Sequence, residues 1–198
     1  MTELDRDSLK GRTLPYLDKG YVQLIDFLGS DYLISMFARA SFAQDGFKSG
    51  EEDAKLLNLI DYLVKHKHTS PIEAGEIVFQ MKIPLFVRDQ LVRHRTASLN
   101  IQSLRYAPHD GDYYVPPRDR YRDQDLFNKQ GSGDLLLKEV ADAYAELIDE
   151  HSSKSYALYE KLIQGGLARE TARVVLPTNF YTTLCWKMDT KNLMNFLK

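Results

Sequence analysis

The sequence has one cysteine, Cys185, in 198 residues. No intrachain disulfide can form and no cysteine-rich metal centre can be built. Such usage fits a reducing compartment. Long apolar runs are missing, so no segment reaches the length needed to span a bilayer, and no membrane partner is expected. Excess charge is missing too: 26 basic residues face 28 acidic ones, for a net −2. A protein that binds polyanions over its whole surface would be more basic, which argues against a nucleic-acid partner. Any anion site must therefore be a local cluster of Arg and Lys. The N-terminal stretch MTELDRDSLKGR is polar and mixed in charge, unlike a signal or transit peptide, and a cytoplasmic location is expected. There is no glycine-rich phosphate loop, no legible Ser-His-Asp order, no internal repeat and no linker.

What is present is an ordinary globular composition, 43% apolar and 27% charged, suited to one domain over 1–198. Residues 1–14 read as a loose leader, and order begins near Tyr21. Ser30 and Asp31 precede a helical spacing of Leu33, Ile34, Phe37 and Ala38. Ser49-Gly50-Glu51-Glu52 is a capping-box pattern ahead of an apolar stripe at Leu56, Leu57, Ile60, Leu63 and Val64. Ser70-Pro71-Ile72-Glu73 is a second such pattern on a short helix. From Glu76 to Ile83 the alternation of Ile77, Phe79, Met81 and Ile83 predicts a strand. Pro84 then opens a helix running to about Arg95. Residues 107–133, rich in Pro, Gly, Asp and Arg, predict a long loop with one brief strand at Tyr113-Tyr114-Val115. A long helix is expected over 134–164, with Leu136, Val140, Ala143, Tyr144, Leu147 and Ile148 on one side. Gly165-Gly166 stops it. Ala168 to Leu176 is a short helix and Phe180 to Met188 a second alternating strand. A last helix begins at Thr190. Leu193, Met194, Phe196 and Leu197 are still in register at Lys198, which predicts that the protein continues.

The densest chemistry lies in residues 93–106, RHRTASLNIQSLRY. Arg93, Arg95 and Arg105 are permanent cations whose planar forks match phosphate oxygens. Ser98, Asn100, Gln102 and Ser103 add neutral donors and acceptors. The alternative is a solvated helix end whose basic residues complement the helix dipole. Gln90 and Arg93, three apart, and Arg169 and Arg173, four apart, are expected to share helical faces. The two later arginines either grip a second anionic group or pair with Glu170 or Asp142. His66, His68 and Glu73 invite a metal reading, but no third ligand or zinc spacing follows, and no metal site is assigned. His109 and His151 read as polar surface residues. Cys185, without a neighbouring base, reads as a packed core thiol.

The stretch RHRTASLNIQSLRY resembles the signature of flavin-dependent thymidylate synthases, in which Arg-His-Arg is followed at fixed spacing by Ser and then Arg-Tyr. The likeness extends to Ala38-Arg39-Ala40-Ser41-Phe42, to His68-Thr69-Ser70-Pro71-Ile72-Glu73, to Arg169-Glu170-Thr171-Ala172-Arg173 through Pro177, and to Trp186 through Leu197. It implies an α+β fold with a central antiparallel sheet flanked by helices, assembled as a homotetramer whose active sites are shared between subunits. It implies FAD, and reductive methylation of dUMP to dTMP with methylenetetrahydrofolate as carbon donor and NADPH as reductant. Carried over by position, Ser41, His68, Ser70, Arg93, His94, Arg95, Ile101, Asp189, Lys191 and Asn195 would contact the flavin. Gln90, Leu91, Val92, Arg93, Ile101, Gln102, Ser103, Leu104, Arg105 and Arg173 would line the dUMP site. Ser103 takes the catalytic position and is expected to act by hydrogen bonding, since no base lies beside it.

Two departures from the family pattern stand out. Ile101 falls where the family often carries Glu or Gln, which leaves only its backbone to hydrogen-bond. The family also continues past position 198 with a Leu-Arg segment whose arginine is associated with activating the uracil ring. The competing reading is a protein of the same fold that binds nucleotide or flavin without turnover.

Overall fold

The computed structural model describes residues 6–41 and 53–198. Its centre is a five-stranded sheet of β1 (Thr13–Tyr16), β2 (Gly20–Leu28), β3 (Glu76–Pro84), β7 (Tyr181–Asp189) and β4 (Ser98–Ile101), in that spatial order. Every neighbouring pair is antiparallel. The alternation read in the sequence sets which face is buried: Met81 and Ile83 of β3 lie against Leu184, Trp186 and Met188 of β7. The opposite face carries polar side chains, among them Tyr21 hydrogen-bonded to Gln80 at 3.2 Å and Lys187 paired with Glu76 at 2.7 Å. Cys185 belongs to that face and is exposed, because its neighbours Leu184 and Trp186 take the two inward positions. It is not a core thiol.

Helices close the inner face. α3 (Leu85–Leu91) contributes Leu91, with Val87 packed alongside, and α6 (Thr190–Phe196) contributes Leu193. A second core joins Ile34 and Ala38 of α1 (Asp31–Ala40), Leu63 of α2 (Asp53–Lys65) and Ile72 of a 3-10 turn at Ser70–Ala74. The Ser30 hydroxyl caps α1 by accepting from Leu33 N–H at 3.1 Å. Of the α2 stripe, Leu56 and Leu63 are buried, while Leu57 and Val64 are exposed. The Ser49–Glu52 capping pattern lies outside the described residues.

Other expectations shift with tertiary context. The leader is partly structured: residues 6–9 form a 3-10 turn, and β1 supplies an edge strand paired to β2. α3 ends four residues before Arg95, and β4 takes over the second half of the signature by pairing with β7. The 107–133 segment makes a single bridge, Tyr113 to Phe180, and a hairpin of β5 (Arg122–Gln124) and β6 (Ser132–Leu135). Because β6 claims those residues, the long helix α4 starts late and spans Lys138–Gln164. Its buried face is Ala141, Ser152 and Tyr159, so Val140, Tyr144 and Leu147, read as one apolar side, stand exposed with Leu158. α5 (Arg169–Ala172) runs into a 3-10 turn at Arg173–Val175. No described helix is long and apolar enough to cross a membrane.

Candidate functional site

The signature leaves α3 as a tight turn. Arg93 N–H donates to Gln90 O at 3.1 Å, His94 N–H to Leu91 O at 3.1 Å and Ala97 N–H to His94 O at 3.2 Å. Arg93 therefore lies beyond the helix, and the face expected for Gln90 and Arg93 is replaced by this turn. The His94 ring stands edge-on to Phe196 of α6, with centroids 4.7 Å apart, and Phe196 in turn packs on Trp186 at 5.3 Å. The side chains of Arg93 and Arg95 are exposed and make no hydrogen bond or ion pair to another described residue. Leu91 is buried and Val92 half-buried, so any contact they make with a ligand runs through the backbone.

α6 also meets the 3-10 turn that carries Ser70. Lys191 Nζ lies 2.7 Å from Glu73 Oε1, and this hydrogen bond raises the lysine above its ordinary value. The carboxylate of Asp189 caps α6 by accepting from Asn192 N–H at 2.8 Å. Thr190 N–H donates to Gly75 O at 2.8 Å. Glycine suits position 75, since a Cβ would fall 2.3 Å from Thr190 Oγ1, and Gly29, at φ +126°, also approaches it closely. α1 packs on the same 3-10 turn and ends at Ser41. Ser41, His68, Ser70, His94, Asp189, Lys191 and Asn195 thus sit on elements that meet around one turn. Hydroxyl, imidazole, amide and ammonium groups beside two unpaired guanidinium groups form a donor set suited to a dinucleotide carrying phosphates. Glu73, committed to Lys191, is not held toward His66 and His68. His66 Nδ1 instead lies 2.9 Å from Tyr62 O, its ring stacked on Tyr62.

A second cluster forms where β4 ends. Ile101 turns its side chain into the sheet core, which gives an apolar residue a structural reason there and leaves its backbone for any ligand. Gln102 N–H donates to Thr183 O at 2.8 Å, and its side-chain carbonyl accepts from Thr183 N–H at 3.3 Å. Ser103 Oγ accepts from Arg105 N–H at 3.3 Å, and Ser103 O accepts from Tyr106 N–H at 3.0 Å, closing a turn over Leu104. α5 holds that turn: Arg169 donates to Tyr106 O at 2.8 Å, and Arg105 lies 3.4 Å from Glu170. Arg173 Nε donates to Glu170 O at 3.3 Å. Arg105 and Arg173, 68 positions apart in the chain, both contact Glu170, the first at its carboxylate and the second at its backbone carbonyl. Asp142 pairs with Arg118 instead.

The two clusters are separate within one chain. Thr183 anchors one and Asp189 the other, six residues along β7, or about 20 Å at strand rise. Gln90, at the end of α3, makes no hydrogen bond to the 102–105 turn.

His109 is a correction to the sequence reading, because it is buried and not on the surface. Nearby, Lys82 binds Asp110 at 2.9 Å and also Asp112. Burial works to lower the lysine, but these two partners outweigh it and raise it. Burial likewise works to raise Asp110, and the bond from Lys82 reverses it, holding the carboxyl below its ordinary range. Burial and a hydrogen bond to Asp18 push the Tyr181 hydroxyl up. The sequence offers Glu170 only as a partner of Arg169 or Arg173 and not of Arg105, and it carries no signal for the burial of His109, whose ring partner Tyr181 lies in a distant segment.

Comparison with known proteins yields consistent relatives. The family model for thymidylate synthase complementing protein matches residues 23–198. A flavin-dependent thymidylate synthase of Ehrlichia ruminantium (strain Gardel) is 42% identical over 182 residues, 92% of this chain and 60% of its own length. One from Thermus thermophilus is 45% identical over 186 residues, 94% of this chain and 66% of its own. The chain therefore spans less than two thirds of these relatives. Among solved structures, the UMP/dUMP methylase PolB of Streptomyces cacaoi bound with 5-Br dUMP superimposes with a TM-score of 0.81 at 29% identity, covering 91% of this chain and 78% of that one.

Proposed function

The chain belongs to the thymidylate synthase complementing protein family, and from that premise we propose that it serves the reductive methylation of dUMP to dTMP. The observation that carries the reading is the pairing state of its arginines. Arg88 and Arg118 are each matched to a carboxylate, and Arg105 has only an exposed 3.4 Å contact with Glu170, whereas Arg93 and Arg95, flanking the His94 that packs on α6, are exposed with no partner among the described residues. Two unneutralised guanidinium groups next to hydroxyls and amides suit phosphates. FAD is assigned to that cluster, with Ser41, His68, Ser70, Arg93, His94, Arg95, Asp189, Lys191 and Asn195 holding it. When bound, the flavin supplies the reducing equivalents, drawn from NADPH, that convert the one-carbon unit of methylenetetrahydrofolate to a methyl group.

dUMP is assigned to the second cluster. Arg173, bonded only to the Glu170 backbone carbonyl, takes its phosphate, together with Arg105 once it exchanges its exposed 3.4 Å contact with the Glu170 carboxylate. Ser103 and Gln102 hold the uracil edge, with Ile101 and Leu104 contributing backbone. Gln90, Leu91, Val92 and Arg93 complete the same site. Because one chain keeps these groups about a strand length apart from the α6 cluster, the reading includes a site assembled from more than one subunit. The exposed apolar residues of α4, Val140, Tyr144, Leu147 and Leu158, support burial against another copy, and the proposal takes the assembly to be a cytoplasmic homotetramer of single-domain subunits.

The test is tritium release from C5 of labelled dUMP by FAD-loaded protein. Release that depends on methylenetetrahydrofolate and NADPH supports the enzyme. Bound flavin and bound dUMP with no release would leave only a binding protein of this fold.

A further inference from the structure

Gln102 and His109 bracket the turn that carries Ser103, Leu104 and Arg105, and both ends of this loop are fastened to β7. At the start, Gln102 N–H donates to Thr183 O at 2.8 Å. At the end, the His109 ring does the fastening: Nδ1 lies 2.9 Å from Gly111 N and 3.3 Å from Asp110 Oδ1, Nε2 lies 2.8 Å from Tyr181 O, and the tautomer with its proton on Nε2 serves both the Gly111 N–H and the Tyr181 carbonyl. Two carbonyls of one strand, two residues apart, thereby hold both ends of a loop of eight residues. The ring is locked in place. It is buried edge-on to Phe180, with centroids 5.0 Å apart. Its backbone N–H donates to Tyr159 Oη at 3.2 Å, and its carbonyl accepts from Tyr156 Oη at 3.2 Å. Neither His109 nor its partners belong to either ligand cluster.

We propose that His109 is a positioning residue for the nucleotide site, closing the 102–109 loop on β7 so that Ser103 and Arg105 are held in one arrangement. This rests on the assignment of dUMP to that loop. An unclosed loop would have to be ordered each time ligand bound, and that ordering would be taken out of the affinity.

Three variants separate the contacts. His109→Leu removes both ring bonds. His109→Gln keeps a donor in the Nε2 position for Tyr181 O. His109→Asn keeps an acceptor near the Nδ1 position for Gly111 N–H but is too short to reach Tyr181 O. Amide exchange in ligand-free protein is read first. His109→Leu is expected to speed exchange at Tyr106 and Ala107 by about tenfold, from the loss of both ring bonds, with β3 and β7 amides unchanged. Binding of dUMP to FAD-loaded protein should weaken by a similar factor while FAD retention is unchanged. His109→Gln should restore both readings and His109→Asn neither. If His109→Leu does not fold, the contrast between Gln and Asn decides alone. Unchanged exchange at Tyr106 and Ala107, a rise that spreads through the sheet, or rescue by Asn as good as by Gln would each overturn the clamp. Wild-type protein that fails to bind dUMP would defeat the assignment of the site, and exchange alone would then judge the clamp.

Discussion

Substituting Gly75 by alanine tests the junction that holds the α6 cluster together. At φ −85° and ψ 143° the backbone suits any residue, so the whole cost is steric. The new Cβ would lie 2.3 Å from Thr190 Oγ1, 3.3 Å from Thr190 Cβ and 3.5 Å from Leu28 O. Only the first distance is impossible. Relief by moving α6 away would stretch the 2.8 Å bond from Thr190 N–H to Gly75 O. Overpacking of this kind costs about 1–3 kcal/mol. Thr190→Ala removes the offending oxygen and leaves a tight but tolerable 3.3 Å contact, so the double variant should recover about 1–2 kcal/mol of the loss as a favourable coupling. Equilibrium urea unfolding of wild type, both single variants and the double variant measures this, read as midpoint shifts at constant slope. FAD retention, followed by visible absorption, should fall in Gly75→Ala and return in the double variant. A Gly75→Ala protein as stable as wild type, or effects that simply add, would refute the close approach as the reason for glycine.

Other perturbations act on single contacts. Leu17 sits at φ +57° in the β1–β2 turn, where a side chain costs about 1–2 kcal/mol; Leu17→Gly should raise the thermal midpoint, and a lowered one would show that Leu17 packing dominates. Lys82 is raised in the folded state, so its stabilisation is complete below the ordinary lysine value and is lost as pH rises through the higher folded one. Tyr181, also raised, acts in the same sense, and Lys82→Met should flatten the alkaline fall in stability seen in urea titrations. Arg93→Ala should change stability by less than about 0.5 kcal/mol yet lose FAD and dUMP together, whereas Ser103→Ala should lower turnover more than FAD retention; normal turnover in both would mean the motif is misassigned. Ile101→Gln, which puts an amide against the sheet core, should cost about 1–3 kcal/mol, and a neutral result in unfolding measurements would place that side chain outside the core.

Local patterns were readable wherever they coincided with burial. The alternation of Met81, Ile83, Leu184, Trp186 and Met188 located the two central strands within a residue, because both pack one face on the core. β4 escaped notice because Ser98–Ile101 is short and owes its strand state to β7. The faces of α4 were misjudged for a different reason. Its apolar residues exceed what the fold of one chain buries, and periodicity does not say which stripe meets the rest of the chain. Of the candidate site residues, the signature arginines were legible from residue chemistry. The union of Arg105, Glu170 and Arg173, and the buried state of His109, depend on segments far apart in sequence, which no local pattern encodes.

β7 has a metrical role. Its early residues, Tyr181 and Thr183, hold the loop that presents Ser103, and its last, Asp189, begins the helix that carries Lys191 and Asn195. β4 runs beside it, Ser98 to Ile101 paired with Lys187 to Leu184, and leads from the turn of His94 to Gln102. The spacing between the two clusters is therefore a count of residues along β7, and side-chain packing cannot adjust it. A single residue inserted in β7 would lengthen that interval by about 3.4 Å and turn every later side chain to the other face of the sheet. Loops around the sheet can vary in length, but the strand between Tyr181 and Asp189 cannot.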